Sequence, residues 1–191
     1  MIHKIYLGSG SPRRVELLQQ MNIPFTQRVL DVDELYPEDL SDVEITDFLA
    51  KLKGKVQQQK LALNELALTA DTIVWHNNIA LGKPKNEDEA IEMLIALSGE
   101  THQVITSVCL STKDKQRCIN DTTHVTMTAL SQDEITYYIR KFKPFDKAGS
   151  YGIQEWIGRV GVSRIEGSYT NVVGLPTHKT YALLKPYIVN L

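Results

Sequence analysis

A turn of small residues followed by two arginines, and one aspartate in an apolar strand, are the parts of this sequence best suited to chemistry. Gly8-Ser9-Gly10-Ser11-Pro12-Arg13-Arg14 follows the apolar segment Ile5-Tyr6-Leu7 and leads into Val15, Leu17, Leu18 and Met21 at helical spacing. Small residues let a backbone approach a ligand closely. Ser11 is placed to cap the helix and Pro12 to sit in its first turn. A helix N-terminus presents unpaired N–H groups and a partial positive charge, and Arg13 and Arg14 add two full charges. That set suits a polyanion such as a nucleoside triphosphate. Asp71 lies in Leu68-Thr69-Ala70-Asp71-Thr72-Ile73-Val74-Trp75, with no other charge nearby. An ionised carboxylate there needs a cationic partner, a metal ion or an active-site cleft. A strand-end aspartate bonded to backbone N–H groups is the structural alternative.

Lys83 follows one hairpin later, in Leu81-Gly82-Lys83-Pro84. Pro84 ends the strand pairing and holds Lys83 extended. The hairpin returns Lys83 toward Asp71, either as a simple ion pair or as a phosphate-binding cation beside a base. Asp146-Lys147-Ala148-Gly149-Ser150-Tyr151-Gly152-Ile153-Gln154 concentrates two glycines, an acid and a base. The glycines either provide turns or bring backbone N–H groups to a ligand, with Gln154 able to bond a base edge. Gly174-Leu175-Pro176 reads as a structural turn before a helix. Asp33 and Glu34 lie in an acidic loop, which is either simply solvated or helps hold a hard cation. Mg²⁺ takes one or two carboxylates together with substrate phosphates and water. Lys53, on a helix, reads on its own as a surface lysine.

Other chemistries are absent from the pattern. There is no GxxxxGK[ST] loop, no HExxH pair and no GxSxG elbow. His3, His76, His102, His124 and His178 are scattered without metal-ligand spacing. The net charge of -2 argues against nucleic acid and anionic membrane as partners. The 191 residues, 42% hydrophobic and 23% charged, suit one globular domain over 1–191. Cys109 and Cys118 could face each other across a hairpin, but two thiols make no disulfide framework. Reduced thiols, no signal-peptide pattern and no run of ~18 apolar residues give a cytoplasmic expectation.

The elements that must position these residues alternate. Strands are expected near 3–7, 25–30, 66–75, 79–81, 102–111 and 117–129. A first helix runs to about Met21. A second spans about Asp42 to Lys60, with Val43, Ile45, Phe48, Leu49, Leu52 and Val56 at helical spacing and Ser41 and Glu44 as a capping box. Asn86 with Glu89 opens a third, and Ser131 with Glu134 a fourth to about Lys141. A Gly-rich stretch with strand-like pieces follows, and Pro176 opens a final helix to about Tyr187. Hairpins in the middle predict a mixed α/β sheet with helices on both faces.

Eight segments in order, SGSPRR (9–14), DVDE (31–34), LAKLKGK (49–55), ADTIV (70–74), LGKP (81–84), LSGETHQVIT (97–106), DKAGSYGIQ (146–154) and NVVGLP (171–176), resemble the Maf family of nucleoside triphosphate pyrophosphatases. The resemblance implies a Maf/ITPase-like α/β fold: a mixed twisted sheet flanked by helices, in two lobes with a central cleft. It implies hydrolysis between the α and β phosphates, giving a monophosphate and pyrophosphate, with Mg²⁺ or Mn²⁺. Asp71 matches the family's acceptor of a proton from water. Ser9, Ser11, Arg13, Arg14, Lys53 and Lys83 match phosphate-binding positions. Glu34 matches an acidic residue linked to the metal, which Asp71 also contacts. Arg13, Thr72 and Gln154 match the branch that hydrolyses dTTP and UTP, as distinct from the 7-methyl-GTP branch. Ser150, Glu155 and Gly54 stand where Ala, Gly and Ala are usual. The resemblance leaves open a homodimer, a modified pyrimidine substrate, and the alternative of a nucleotide-binding regulator of septum formation without turnover.

Overall fold

Leu66, Ala67, Leu68, Thr69 and Ala70 are buried without interruption, so both faces of this segment meet protein and it must be a central strand. The computed structural model describes residues 4–188, and His3 lies outside them. The elements run β1 (Lys4–Leu7), α1 (Pro12–Gln20), β2 (Thr26–Gln27), α2 (Val43–Gln58), β3 (Glu65–His76), β4 (Ile79–Leu81), α3 (Glu87–Leu97), β5 (Thr101–Ser111), β6 (Gln116–Met127), α4 (Gln132–Phe142), α5 (Trp156–Val160), β7 (Val162–Glu166), α6 (Tyr169–Val173) and α7 (Thr177–Leu184). Seven strands form one mixed sheet in the order β2-β1-β3-β5-β6-β7, with β4 paired to β3. This is the mixed α/β sheet expected from the sequence. Among the described residues no helix is long and apolar enough to cross a membrane.

The chain divides into two compact units, and β3, β5 and β6 contribute to both. The first unit lies within 1–71, 106–121 and 174–191. Here β1 runs parallel to β2 and to β3, with Leu7 level with Gln27 and with Leu68. Parallel neighbours place the Gly8–Ser11 turn and the continuation of β3 through Asp71 at the same, carboxyl edge. In open α/β sheets that edge is where ligands bind. Side-chain bonds seat α2 on the strands: Thr69 Oγ1 donates to the Ala50 carbonyl at 2.8 Å, and Thr46 Oγ1 meets Ser107 Oγ at 2.7 Å.

The second unit lies within 72–105 and 122–173. The end of β3 pairs antiparallel with β4, Val74 opposite Leu81, and β6 pairs antiparallel with β7. Helix α3 packs on α4 and buries Leu94 and Leu97. Both helices begin at the caps expected from sequence. Asn86 accepts from Glu89 N, and Ser131 with Glu134 forms the full reciprocal box.

Several boundaries differ from the sequence expectation. The second strand is only Thr26–Gln27, because both residues are exposed at the sheet edge and the chain then turns into the acidic loop. Helix α2 is capped by Asp42 with φ 52°, while the Glu44 carboxylate reaches back to the N–H and hydroxyl of Ser41. Ser11 sits at the α1 N-cap with Pro12 following, but its side chain makes no cap bond. Its N–H instead donates to Ser9 Oγ at 3.2 Å. The final helix is preceded by a separate short α6, divided from it at Gly174, whose φ is 118°.

Gly149 has φ 64°, donates its N–H to the Gly82 carbonyl at 3.0 Å, and would place a Cβ 2.7 Å from Val74 Cγ2. A side chain there combines positive-φ strain with overpacking against a buried valine. Gly149→Ala is therefore expected to lower unfolding free energy by about 1–3 kcal/mol in a urea titration. An unchanged midpoint would show that Val74 yields without cost.

Candidate active site

In the first unit, four parts of the chain converge on Asp71. Asp71 is 7% exposed, midway along β3 and just beyond the end of its parallel pairing with β1. The Lys53 ammonium on α2 donates to Asp71 Oδ1 at 2.7 Å and also pairs with Glu34 Oε2 at 2.9 Å. The hairpin leaves Lys83 open as an ion-pair partner of Asp71 or a phosphate-binding cation, and the cation bonded to Asp71 is Lys53. The reason is the seating of α2: Ala50 is tied to Thr69, and a turn further along the helix Lys53 arrives at the carboxylate that follows Thr69 and Ala70.

Arg14 is the second cation of the cluster. Its Nε donates to the Gly174 carbonyl at 2.9 Å, and its Nη1 to the Ala70 carbonyl at 2.9 Å and to Ser9 Oγ at 3.1 Å. Ser9 is buried, and its carbonyl accepts from Gln27 Nε2 at 2.8 Å. The SGSPRR turn, the ADTIV strand and the NVVGLP turn are thus tied together through one guanidinium. Arg13 is half-buried beside it, and its charge helps to lower the Arg14 pKa, after the larger effect of burial.

Burial is the dominant influence on Asp71 and pushes its pKa above the ordinary carboxylate value. Lys53 and Arg14 pull it back, and Glu34 adds a smaller push upward. A carboxylate raised in this way is a better proton acceptor near neutral pH than an exposed one.

The second unit carries the other sequence candidates. Lys83 is exposed, just past the end of β4. Thr72 is half-buried on β3. Gln154 has an enclosed side-chain oxygen that accepts no hydrogen bond from any described residue. The turn that presents it is clamped. Gly152 N donates to the Tyr138 hydroxyl at 3.0 Å, that hydroxyl donates to Glu155 Oε2, and Lys147 Nζ bonds Glu155 Oε1 at 3.1 Å and Asp146 Oδ1 at 2.7 Å. Burial, and then Glu155, drive the Tyr138 pKa up, so the phenol stays a donor. Tyr138 carries no signal as a site residue in the sequence, whereas Lys147 is the base of the 146–154 segment. Glu155 is a second pointer, because it departs from the family pattern.

Asp71 and Glu34 share one ammonium, which brings two carboxylates to the same cationic group. Among the described residues no group of three or more His, Cys, Asp or Glu side chains gathers to hold a metal. Two carboxylates fit an ion that completes its shell with phosphate and water, the usual habit of Mg²⁺.

A mixed α/β sheet with a buried carboxylate between cations, at the carboxyl end of parallel strands, defines a protein built to receive a polyanion. The model of the family described as Maf-like protein matches residues 4–187, and the chain belongs to the Maf family. Among its relatives, a dTTP/UTP pyrophosphatase of Flavobacterium psychrophilum is 55% identical over 181 residues, covering 95% of this chain and 93% of that one. A dTTP/UTP pyrophosphatase of Bacteroides fragilis is 52% identical over 184 residues, covering 96% and 95%. The fold is similar to that of a HAM1 protein from Coxiella burnetii, with a TM-score of 0.53 at 17% identity over 97% of this chain and 100% of that one.

The Asp71 shift fixes a sign for stability. Because its folded pKa lies above the ordinary value, protonation favours the folded state. That gain is absent at high pH and grows as pH falls through the folded pKa. Asp71→Asn is therefore expected to raise the urea midpoint at pH 8, with an advantage that shrinks on acidification. A lower midpoint at pH 8 would mean that the Lys53 pair outweighs the cost of burial.

Proposed function

We propose that this chain hydrolyses dTTP and UTP to the monophosphate and pyrophosphate in the cytoplasm, with 1–191 acting as one domain. The observation that carries the reading is the buried Asp71 carboxylate, raised in pKa, bonded by Lys53 and within the field of Arg14. Names of relatives about half identical over nearly the whole chain point the same way.

In this reading Ser9, Ser11, Arg13, Arg14, Lys53 and Lys83 hold the triphosphate. Asp71 accepts a proton from water as the water oxygen bonds to the α-phosphorus. The α–β bridging P–O bond breaks, and pyrophosphate departs with its negative charge met by the cationic side chains. Asp71 and Glu34 would hold a Mg²⁺ or Mn²⁺ ion, which when bound supplies charge neutralisation on the phosphates. Thr72 and Gln154 are the residues assigned to the base. The unsatisfied Gln154 oxygen is suited to the N3–H of uracil or thymine, and the amide N–H₂ to a ring carbonyl.

Pyrophosphate release from a panel of nucleoside triphosphates with Mg²⁺ or Mn²⁺ tests the reading, with dTTP and UTP expected to lead. Nucleotide binding without release would instead favour the non-hydrolysing regulator of cell division. Asp71→Asn is expected to stay folded and lose about 10²–10⁴-fold in turnover, the usual worth of general base catalysis. In the wild type the acid limb of the rate profile should lie above the ordinary carboxyl range and vanish in that variant. Gln154→Glu loses the amide donor and is expected to reduce the dTTP/dGTP rate ratio. An unchanged ratio would remove Gln154 from base recognition.

A further inference from the structure

The two cysteines occupy a defined relation that the hydrolytic reading does not use. β5 and β6 are neighbours joined by a tight turn, and their register follows from three bonds. Thr112 N donates to the Lys115 carbonyl at 2.9 Å and Met127 N to the Glu100 carbonyl at 2.9 Å, while Thr101 Oγ1 meets Thr126 Oγ1 at 2.9 Å. The same residue sum links all three pairs, so the ladder runs without a bulge. Even-numbered β5 residues then form the hydrogen-bonded pairs, and odd-numbered ones the close, non-hydrogen-bonded pairs. Cys109 falls opposite Cys118 in a close pair.

The pairs on either side in the same row confirm the placement. Gln116 Nε2 donates to Ser111 Oγ at 3.1 Å, and Ser107 Oγ and Asn120 Nδ2 both donate to Asp47 Oδ1, at 2.6 and 3.3 Å. This row faces α2: Gln116 also bonds the Lys51 carbonyl at 3.0 Å, and Thr46 bonds Ser107. Cys109 Sγ lies 4.0 Å from Ser111 Oγ in the same row. Cys109 is fully buried, and Cys118 is partly open to solvent.

We infer that Cys109 and Cys118 form an oxidisable cross-strand dithiol that small hydroperoxides convert to an intramolecular disulfide. Close pairs place Cα atoms about 4.5 Å apart, within the roughly 4.4–6.8 Å that a disulfide spans. The Cβ atoms, about 4.5–5.5 Å apart in such pairs, must close to roughly 3.5–4.5 Å. The accessible Cys118 sulfur attacks the peroxide, the O–O bond breaks, and a sulfenic acid and one water form. The Cys109 sulfur then attacks the Cys118 sulfur, the S–O bond breaks, and a second water leaves with the two thiol protons accounted for. Access, not acidity, selects Cys118 for the first step, since the Cys118 thiol is pushed up in pKa by its neighbour while that of Cys109 is lowered. A neighbouring thiol resolves the sulfenic acid before further oxidation.

The full chain treated with excess hydrogen peroxide, alkylated in denaturant and weighed intact is expected to lose both alkylation sites together and fall by the mass of two hydrogens, reversibly with dithiothreitol. Trypsin separates Cys109 (residues 86–113) from Cys118 (residues 118–140), so the oxidised chain should yield these two fragments cross-linked. Cys109→Ser should trap a dimedone adduct on Cys118, and Cys118→Ser should leave Cys109 unmodified. Disulfide-linked dimers, over-oxidation of Cys118 with Cys109 still alkylated, or two alkylated thiols after peroxide would each overturn the inference. The wild-type fragments settle the matter even if a serine variant fails to fold.

Discussion

The ion pair between Asp71 and Lys53 is the constraint on which the first unit is organised. Burial raises the pKa of the carboxylate, and the ammonium that reaches it must come from a helix laid over the strand. A buried pair of this kind is poor evidence for stability, since the loss of water costs about as much as the attraction returns. Its retention at the carboxyl edge of parallel strands is better explained by use than by folding. The ammonium also ties the carboxylate to Glu34 in the acidic loop.

The rest of the first unit keeps those two groups in register. Thr69 bonds the carbonyl of Ala50, so a slip of α2 along the sheet would break both this bond and the ion pair. Arg14 spends three donors on two carbonyls and a hydroxyl, which makes it a strut between the first turn, β3 and the Gly174 turn as well as a charge. A side chain that both supports the site and supplies its field cannot be replaced by lysine without losing the forked geometry.

The second unit holds the turn that carries Gln154. The Gly152–Glu155 turn is fixed by Tyr138 from α4 and by the Lys147–Glu155 pair. Among the described residues the Gln154 side-chain oxygen accepts no hydrogen bond. An enclosed acceptor with no partner is costly, and it is tolerated where a ligand supplies the missing donor.

Local chemistry was legible in the sequence wherever the reason was local. The caps at Asn86 and Ser131, the β3–β4 hairpin, the buried β3 and the glycine turns follow from side chains acting on their own neighbourhood. The anomaly of Asp71 was visible too, because one charge in an apolar strand needs an explanation. Its partner was not: the β3–β4 hairpin brings Lys83 toward it and Lys53 reads as a surface lysine, and only the seating of α2 on Thr69 selects Lys53. The carbonyls of Ala70 and Gly174 that anchor Arg14, and the Tyr138–Glu155–Lys147 clamp, have no sequence signature, since backbone acceptors are the same at every residue and the partners are distant in the chain. Residue types determined which charges and donors this protein owns and which segments become strands or helices. Tertiary packing alone decided which of them meet, because desolvation and hydrogen-bond geometry arise only when remote segments are brought together.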